Sequence, residues 1–222
     1  MKQATTDAIL QHKIIVIVRG IRRKQLLPLA EALYNGGIRL MEITFDASGK
    51  TSDEEIAEDI RLLNEQLGEK MIFGAGTVLK ESQVCLTKEA GGRFIISPDT
   101  NENVIRATSR AGLVSIPGAL TPTEVQTAFL TGADFVKLFP VTALGPEYVK
   151  AIKAPLSHVC LLAVGGVNEN NMMSYLKAGV CGVGVGGCLV DKTLLAAGDY
   201  AAITEKARRY TALLENGYDP LH

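Results

Sequence analysis

The sequence has almost no charge imbalance. Lysines and arginines number 23 against 24 aspartates and glutamates, a formal net charge of -1. That argues against a nucleic-acid partner or an anionic-membrane surface, and any capture of an anion must be local, inside a cleft. No apolar run reaches transmembrane length, and the stretch from Met1 to Leu10 is polar with no apolar signal core. No membrane partner is expected, and the reading is cytoplasmic. Nucleotide signatures are missing too. There is no Walker loop and no complete GxGxxG, and Gly74-Ala75-Gly76-Thr77 is too short for a nucleotide cradle. His12, His158 and His222 share no ligand spacing with one another or with a cysteine, so neither a metal centre nor a cofactor is expected. Cys85, Cys160, Cys181 and Cys188 form no CxxC pair. They read as buried free thiols of a reducing compartment rather than as a disulfide or a metal site.

Hydrophobic residues make up 47% and charged residues 21% of the 222 positions, an ordinary balance for a globular chain. A chain of this length buries enough apolar surface to need no staple, and no linker divides it, so residues 1–222 are expected to form a single domain. One phrase recurs: a helix-like segment ends in a small residue plus glycine and an apolar strand follows, as at Gly36-Gly37-Ile38, Ala111-Gly112-Leu113-Val114 and Ala178-Gly179-Val180. Periodicity places strands near 13–18, 39–45, 71–75, 93–96, 114–117, 134–139, 160–164 and 181–186. Helices are expected near 22–35, 51–67, 80–89, 101–111, 121–130, 146–153 and 168–178, with a last one near 196–215. Thr121-Pro122-Thr123-Glu124 has the pattern of a helix start. Near-continuous apolar strands such as Ile14-Ile15-Val16-Ile17-Val18 indicate a parallel sheet covered on its faces. Eight alternations fit either a closed barrel or an open doubly wound sheet. Unusual polar residues end many different strands, whereas an open sheet would gather them at one switch point. The expected fold is therefore an α/β (β/α)8 TIM barrel with an extra N-terminal helix.

Several residues look out of place in such a frame. Alternation along Phe135-Val136-Lys137-Leu138-Phe139 puts Lys137 on the face of the two phenylalanines. There burial would favour the neutral, carbonyl-attacking amine; the competing reading is a strand-end lysine that snorkels to water. Glu42 is embedded in Leu40-Met41-Glu42-Ile43-Thr44-Phe45. It suits proton shuttling with a raised pKa, or else a structural partner for a buried cation. Gly165-Gly166 and Gly184-Val185-Gly186-Gly187 end the last two strands, where barrels often bind phosphate through backbone N–H groups; Gly165-Gly166 also fits a plain tight turn. Thr77 could offer a hydroxyl to substrate. Arg19, at the end of the first strand, is either a bidentate anion clamp or a surface arginine.

Val18-Arg19-Gly20, Glu42-Ile43-Thr44, Gly74-Ala75-Gly76-Thr77-Val78, Ile96-Ser97-Pro98, Ile116-Pro117-Gly118, Lys137-Leu138-Phe139-Pro140 and Val164-Gly165-Gly166-Val167 occur in this order over nearly the whole chain. Together they resemble the 2-keto-3-deoxy-6-phosphogluconate / 4-hydroxy-2-oxoglutarate (KDPG/KHG) aldolases. The segment from Ala143 to Lys150 is similar to the 2-keto-3-deoxy-6-phosphogalactonate (KDPGal) branch. The resemblance implies a class I aldolase, usually trimeric, acting on a small keto acid. It implies Lys137 as the Schiff-base lysine and Glu42 as acid/base, with Thr77, Pro98 and Phe139 in the pocket and Gly165, Gly166, Gly186 and Gly187 in the phosphate loops. The chain departs from the family pattern twice. Asp46 stands where many members have a carboxylate-gripping arginine, leaving Arg19 as the candidate replacement, and Cys188 stands where a serine is common in the phosphate loop. Residues 46–55 are expected to form a loop over the mouth and the start of the next helix. Two other readings remain open from the residues: a phosphate-sugar isomerase, epimerase or synthase on a similar barrel, and a catalytically silent sugar-acid-binding barrel.

Overall fold

The computed structural model describes residues 1–217; His222 lies outside them. Helix α1 (Lys2–His12) precedes an alternation of strands and helices: β1 (Ile14–Val18), α2 (Arg23–Asn35), β2 (Leu40–Thr44), α3 (Asp53–Leu67), β3 (Ile72–Gly76), α4 (Glu81–Glu89), β4 (Phe94–Ile96), α5 (Glu102–Arg110), β5 (Val114–Ile116), β6 (Gly118–Ala119), α6 (Pro122–Thr131), β7 (Val136–Leu138), α7 (Gly145–Lys153), β8 (Leu161–Val164), α8 (Met172–Lys177), β9 (Gly182–Val185), α9 (Lys192–Ala197) and α10 (Tyr200–Gly217). The strands pair in the order β5-β4-β3-β2-β1-β9-β8-β7-β6, every described pairing parallel. Only Pro117 separates β5 from β6, so they are two halves of one barrel strand and the ring closes through them. Proline has no N–H to give the ladder, which accounts for the interruption; its carbonyl still accepts from the Lys137 N–H at 2.8 Å.

The closed ring separates two apolar cores. Met41, Ile43, Val136, Leu138, Val183 and Val185 belong to the larger core with the helices. Ile15, Leu40, Phe94, Ile96, Val114, Ile116, Phe135, Leu162 and Val164 form the smaller one inside the barrel. Strands buried on both faces explain the uninterrupted apolar runs. Ile9 of α1 is fully buried and belongs to the inner core, so α1 closes the N-terminal end and leaves the C-terminal end open.

Local chemistry sets the boundaries. Thr121 and Glu124 cap α6 reciprocally, with Pro122 in its first turn. Ser52 and Glu55 do the same for α3, so the segment from Asp46 forms a loop that passes into the helix, as expected. Gly132 (φ 108°) and Gly179 (φ 101°) end helical segments in the left-handed region, where a Cβ would be strained. Two elements were not anticipated, α9 and β6. The cysteines differ from expectation as well: all four are free, but Cys85 and Cys188 are exposed and Cys160 and Cys181 half-buried. Cys85 lies on the solvent side of α4, Cys188 lies in the loop after β9, and the other two stand just ahead of their strands rather than within them.

Candidate active site

Glu42 and Lys137 project into the barrel from β2 and β7. Glu42 is paired in register with Ile17 on one side and Gly74 on the other; Lys137 is flanked by Gly118 and Leu162. Among the described residues the buried charged side chains are Glu42, Asp59 and Lys137, and Asp59 lies on α3. The two interior groups are only 1% and 5% exposed. Burial pushes the Glu42 carboxyl up to about 7, with Lys137 and Arg19 pulling the other way. Burial likewise lowers the Lys137 ammonium; Glu42 opposes this and Arg19 adds to it. Both groups are thus displaced toward their neutral forms. The Lys137 ammonium sits 4.6 Å from the Phe139 ring centroid, a contact that orients it. Oε2 of Glu42 has no hydrogen-bond partner among the described residues, a costly state for a buried carboxylate unless its charge is suppressed or a ligand completes it.

The placement of Glu42 depends on a glycine. A Cβ on Gly76 would run into the Glu42 carboxylate and sit 3.1 Å from the Thr44 methyl. Only the far end of a side chain has to yield, so Gly76→Ala should fold while displacing the carboxylate. A shift of about an ångström can cost roughly a hundredfold in turnover. Steady-state kinetics of this variant beside its thermal melt would check this, with parental turnover showing that Glu42 tolerates the move.

A cavity of about 370 Å³ opens at the C-terminal end of the barrel. Its walls contain all ten residues singled out from the sequence: Arg19, Glu42, Thr77, Pro98, Lys137, Phe139, Gly165, Gly166, Gly186 and Gly187. Arg19 donates from Nη2 to Oγ1 of Thr77 at 3.1 Å, which orients the guanidinium across the mouth. Thr77 adopts φ 55°, a conformation costing a β-branched residue about 1–2 kcal/mol, so its hydroxyl is held at this position against backbone preference. Gly165 (φ 95°) and Gly166 (φ 76°) turn the chain beside Phe139 and Thr142, and the Thr142 hydroxyl donates to the Gly165 carbonyl at 2.9 Å. Opposite them, Gly187 has no heavy atom near the position of a Cβ, leaving its backbone open to the cavity.

The cavity also takes in Gly184 and Cys188, both placed in the phosphate loop from the sequence, and Ile17, Val164 and Val167, which were given no role there. Val164 could have been found, since alternation puts it on the face of Leu162 immediately before Gly165.

Asp46, which stands where many members have a carboxylate-gripping arginine, is bonded within its own loop. Its side chain accepts from the Ser48 N–H (2.9 Å), the Ser48 hydroxyl (2.7 Å) and the N–H groups of Lys50 and Thr51 (both 3.1 Å). These bonds hold its carboxyl below the usual carboxylate range, those to Ser48 most strongly. Asp46 organises its own loop and lines a neighbouring cavity of about 530 Å³, which shares Arg19 and Thr77 with the first.

Comparison with known proteins settles the class. The family profile described as KDPG and KHG aldolase matches residues 6–206. The chain belongs to this family. As an aldolase of this family it is an aldehyde-lyase, and the isomerase-like and catalytically silent readings lose their footing. The chain is 36% identical over 174 residues to the 2-dehydro-3-deoxy-6-phosphogalactonate aldolase of Escherichia coli strain K12, covering 78% of this chain and 82% of that one. Among solved structures, the KDPG aldolase from Legionella pneumophila, with pyruvate captured at low pH as a covalent carbinolamine intermediate, superposes with a TM-score of 0.82. It is 28% identical, and the match covers 91% of this chain and 96% of that one. A cube-shaped protein cage designed by fusing symmetric oligomeric domains gives a TM-score of 0.81 at 32% identity, covering 91% of this chain and 72% of that one.

Proposed function

We propose that this aldolase cleaves a 2-keto-3-deoxy sugar acid, or 4-hydroxy-2-oxoglutarate, to pyruvate and an aldehyde through a Schiff base on Lys137. The observation that carries this reading is the pairing of Lys137 and Glu42, two buried interior groups facing one cavity and both displaced toward neutrality. The neutral Lys137 amine attacks the C2 ketone, and loss of water gives a protonated imine. This imine is the electron sink that accepts the C3–C4 bonding pair. Glu42, directly or through a water, takes the C4 hydroxyl proton as that bond breaks and the aldehyde departs. The same carboxyl then returns a proton to C3 of the enamine, and hydrolysis releases pyruvate and the amine. A carboxyl titrating near 7 serves both directions of transfer.

Arg19, braced by Thr77, holds the pyruvyl carboxylate. Pro98 and Phe139 pack against the substrate chain, and the backbone N–H groups of Gly165, Gly166, Gly186 and Gly187 receive a terminal phosphate, giving glyceraldehyde 3-phosphate as the aldehyde product. Where the substrate is hydroxyoxoglutarate, the aldehyde is glyoxylate. Residues 1–222 act as one catalytic domain in the cytoplasm. A homotrimer is the proposed assembly, supported by the family resemblance, by the symmetric oligomeric domains of the cage relative and by the exposed apolar side chains Phe129, Leu130 and Leu144.

Incubation with pyruvate and borohydride tests the imine. One reduced pyruvyl group should be added, at Lys137; an adduct confined to another lysine overturns the assignment. For the clamp, Arg19→Ala should lower kcat/KM by about ten- to a hundredfold, mainly through KM, because a charged hydrogen-bonding partner is lost. A panel of keto acids with and without phosphate measures this. Parental efficiency on every substrate would transfer the carboxylate to Thr77 or to backbone donors.

A further inference from the structure

At the end of the barrel opposite the mouth, two thiols meet. Cys160 immediately precedes β8 and Cys181 immediately precedes β9. Those strands are parallel neighbours with Leu162 opposite Gly182, so the cysteines are diagonal neighbours, one residue out of register. Backbone bonds fix both: the Cys160 carbonyl accepts from the Val136 N–H at 2.9 Å, and the Cys181 N–H donates to the Leu161 carbonyl at 2.7 Å. Both side chains pack against the inner core, both are half-buried rather than sealed, and the two thiols lie close enough to perturb each other's ionisation. Lys153 is held close by, its ammonium donating to the carbonyls of Ser157 (2.8 Å) and Val159 (2.9 Å). The aldol chemistry uses neither thiol.

We propose that Cys160 and Cys181 form a thiol–disulfide exchange site, closing to an intramolecular disulfide when the protein meets a small-molecule disulfide of the glutathione class. Cys160 is the attacking thiol. The neighbouring Cys181 thiol pulls its pKa down to about 6, against burial, and the Lys153 charge adds to the effect. Cys181 is pushed up by the neighbouring Cys160 and by burial, which suits it to keep its proton until the second step. The Cys160 thiolate attacks one sulfur of the oxidant, forming a mixed disulfide and expelling one small thiolate. Cys181 then gives up its proton and attacks the Cys160 sulfur, expelling the second. Two protein thiols and one disulfide become one protein disulfide and two small thiols, so atoms and electrons balance. The new bond ties the base of β8 to the base of β9 and encloses the Gly165-Gly166 turn and α8 in a covalent loop, restricting the unfolded chain. Lys137 and Glu42 lie further along the barrel and are untouched, so the bond acts on durability rather than on the chemical step.

The test uses the full chain with Cys85→Ser and Cys188→Ser, which removes the two exposed thiols. Treatment with oxidised glutathione should give a protein lighter by two hydrogen atoms. A non-reducing digest should yield a cross-linked peptide pair carrying Cys160 and Cys181, and the melting temperature should rise by several degrees over the reduced form. Adding Cys181→Ser should instead trap a persistent glutathione adduct on Cys160. Pyruvate trapping by borohydride should be equal in the oxidised and reduced forms. The proposal is overturned if both thiols stay reduced, or if the adduct on Cys160 persists while Cys181 is present. Non-reducing digests of the unsubstituted chain supply the same readout should the serine background fail to fold.

Discussion

Lys137→Ala should yield a folded protein whose cleavage activity falls by roughly five orders of magnitude or to the assay floor, as when a covalent nucleophile is deleted. Without the amine there is no imine, and a neutral ketone at C2 cannot accept the C3–C4 electron pair at a useful rate. The fold should survive, because the change removes a desolvated amine from an inner core otherwise built of Ile, Leu, Val and Phe. Lys137→Met is the companion variant. It retains the bulk of the stem beside Phe139 and should be equally inactive, which separates lost chemistry from a packing defect. Circular dichroism, single-turnover kinetics and pyruvate trapping on both proteins decide the matter. Cleavage surviving in either at a tenth of the parental rate would end the Schiff-base assignment to this residue.

Glu42→Gln should fold and still trap pyruvate, yet lose about two to four orders of magnitude in turnover, the usual contribution of acid/base catalysis. The amide preserves shape but cannot exchange the proton. The pH profile carries a second signature. The carboxylate form takes the C4 hydroxyl proton, so kcat/KM of the parent should rise through about pH 7 as Glu42 ionises, and that limb should vanish in the variant. Stability should move oppositely. A carboxyl whose folded pKa is raised from 4.5 to about 7 binds more protons folded than unfolded in that window. Its contribution is therefore complete below the unfolded pKa and is lost as pH climbs through the folded one. Between pH 5 and pH 8 the parent should accordingly lose a few kcal/mol relative to Glu42→Gln, measurable by denaturant melts of both at the two values. Equal melts at both values would mean that Glu42 is not desolvated to this degree.

The barrel was legible because its signals are local and periodic. A period of two assigned Glu42 and Lys137 to the inner face, and the structure puts both there, since a closed parallel barrel has an inside for every strand. Caps such as Thr121-Pro122-Glu124 marked boundaries with a mechanism. What escaped was either too short or not periodic. Two-residue β6 and six-residue α9 offer too few turns or alternations to rise above their flanks. How Asp46 is held was not legible, because its four bonds from Ser48, Lys50 and Thr51 form a loop-specific pattern that leaves no trace in residue type alone. The thiols were judged from their apolar neighbours, yet Cys160 and Cys181 stand one step ahead of the strands, where the barrel rim gives them partial access.

Ile9 packs into the inner core at the barrel floor, while the described cavity holding Lys137 and Glu42 opens at the C-terminal end. Among the described residues, the void between Lys137, Glu42 and the inner core measures about 10 Å³, room for at most a single water. The water that hydrolyses the imine must then enter by the route the aldehyde leaves. While the aldehyde occupies the mouth it shields the enamine from premature quenching, and its departure admits the water needed for release. Traffic through this mouth then sets the order of events: cleavage, aldehyde exit, hydrolysis, pyruvate exit. In the synthetic direction the same mouth obliges pyruvate to bind before the aldehyde.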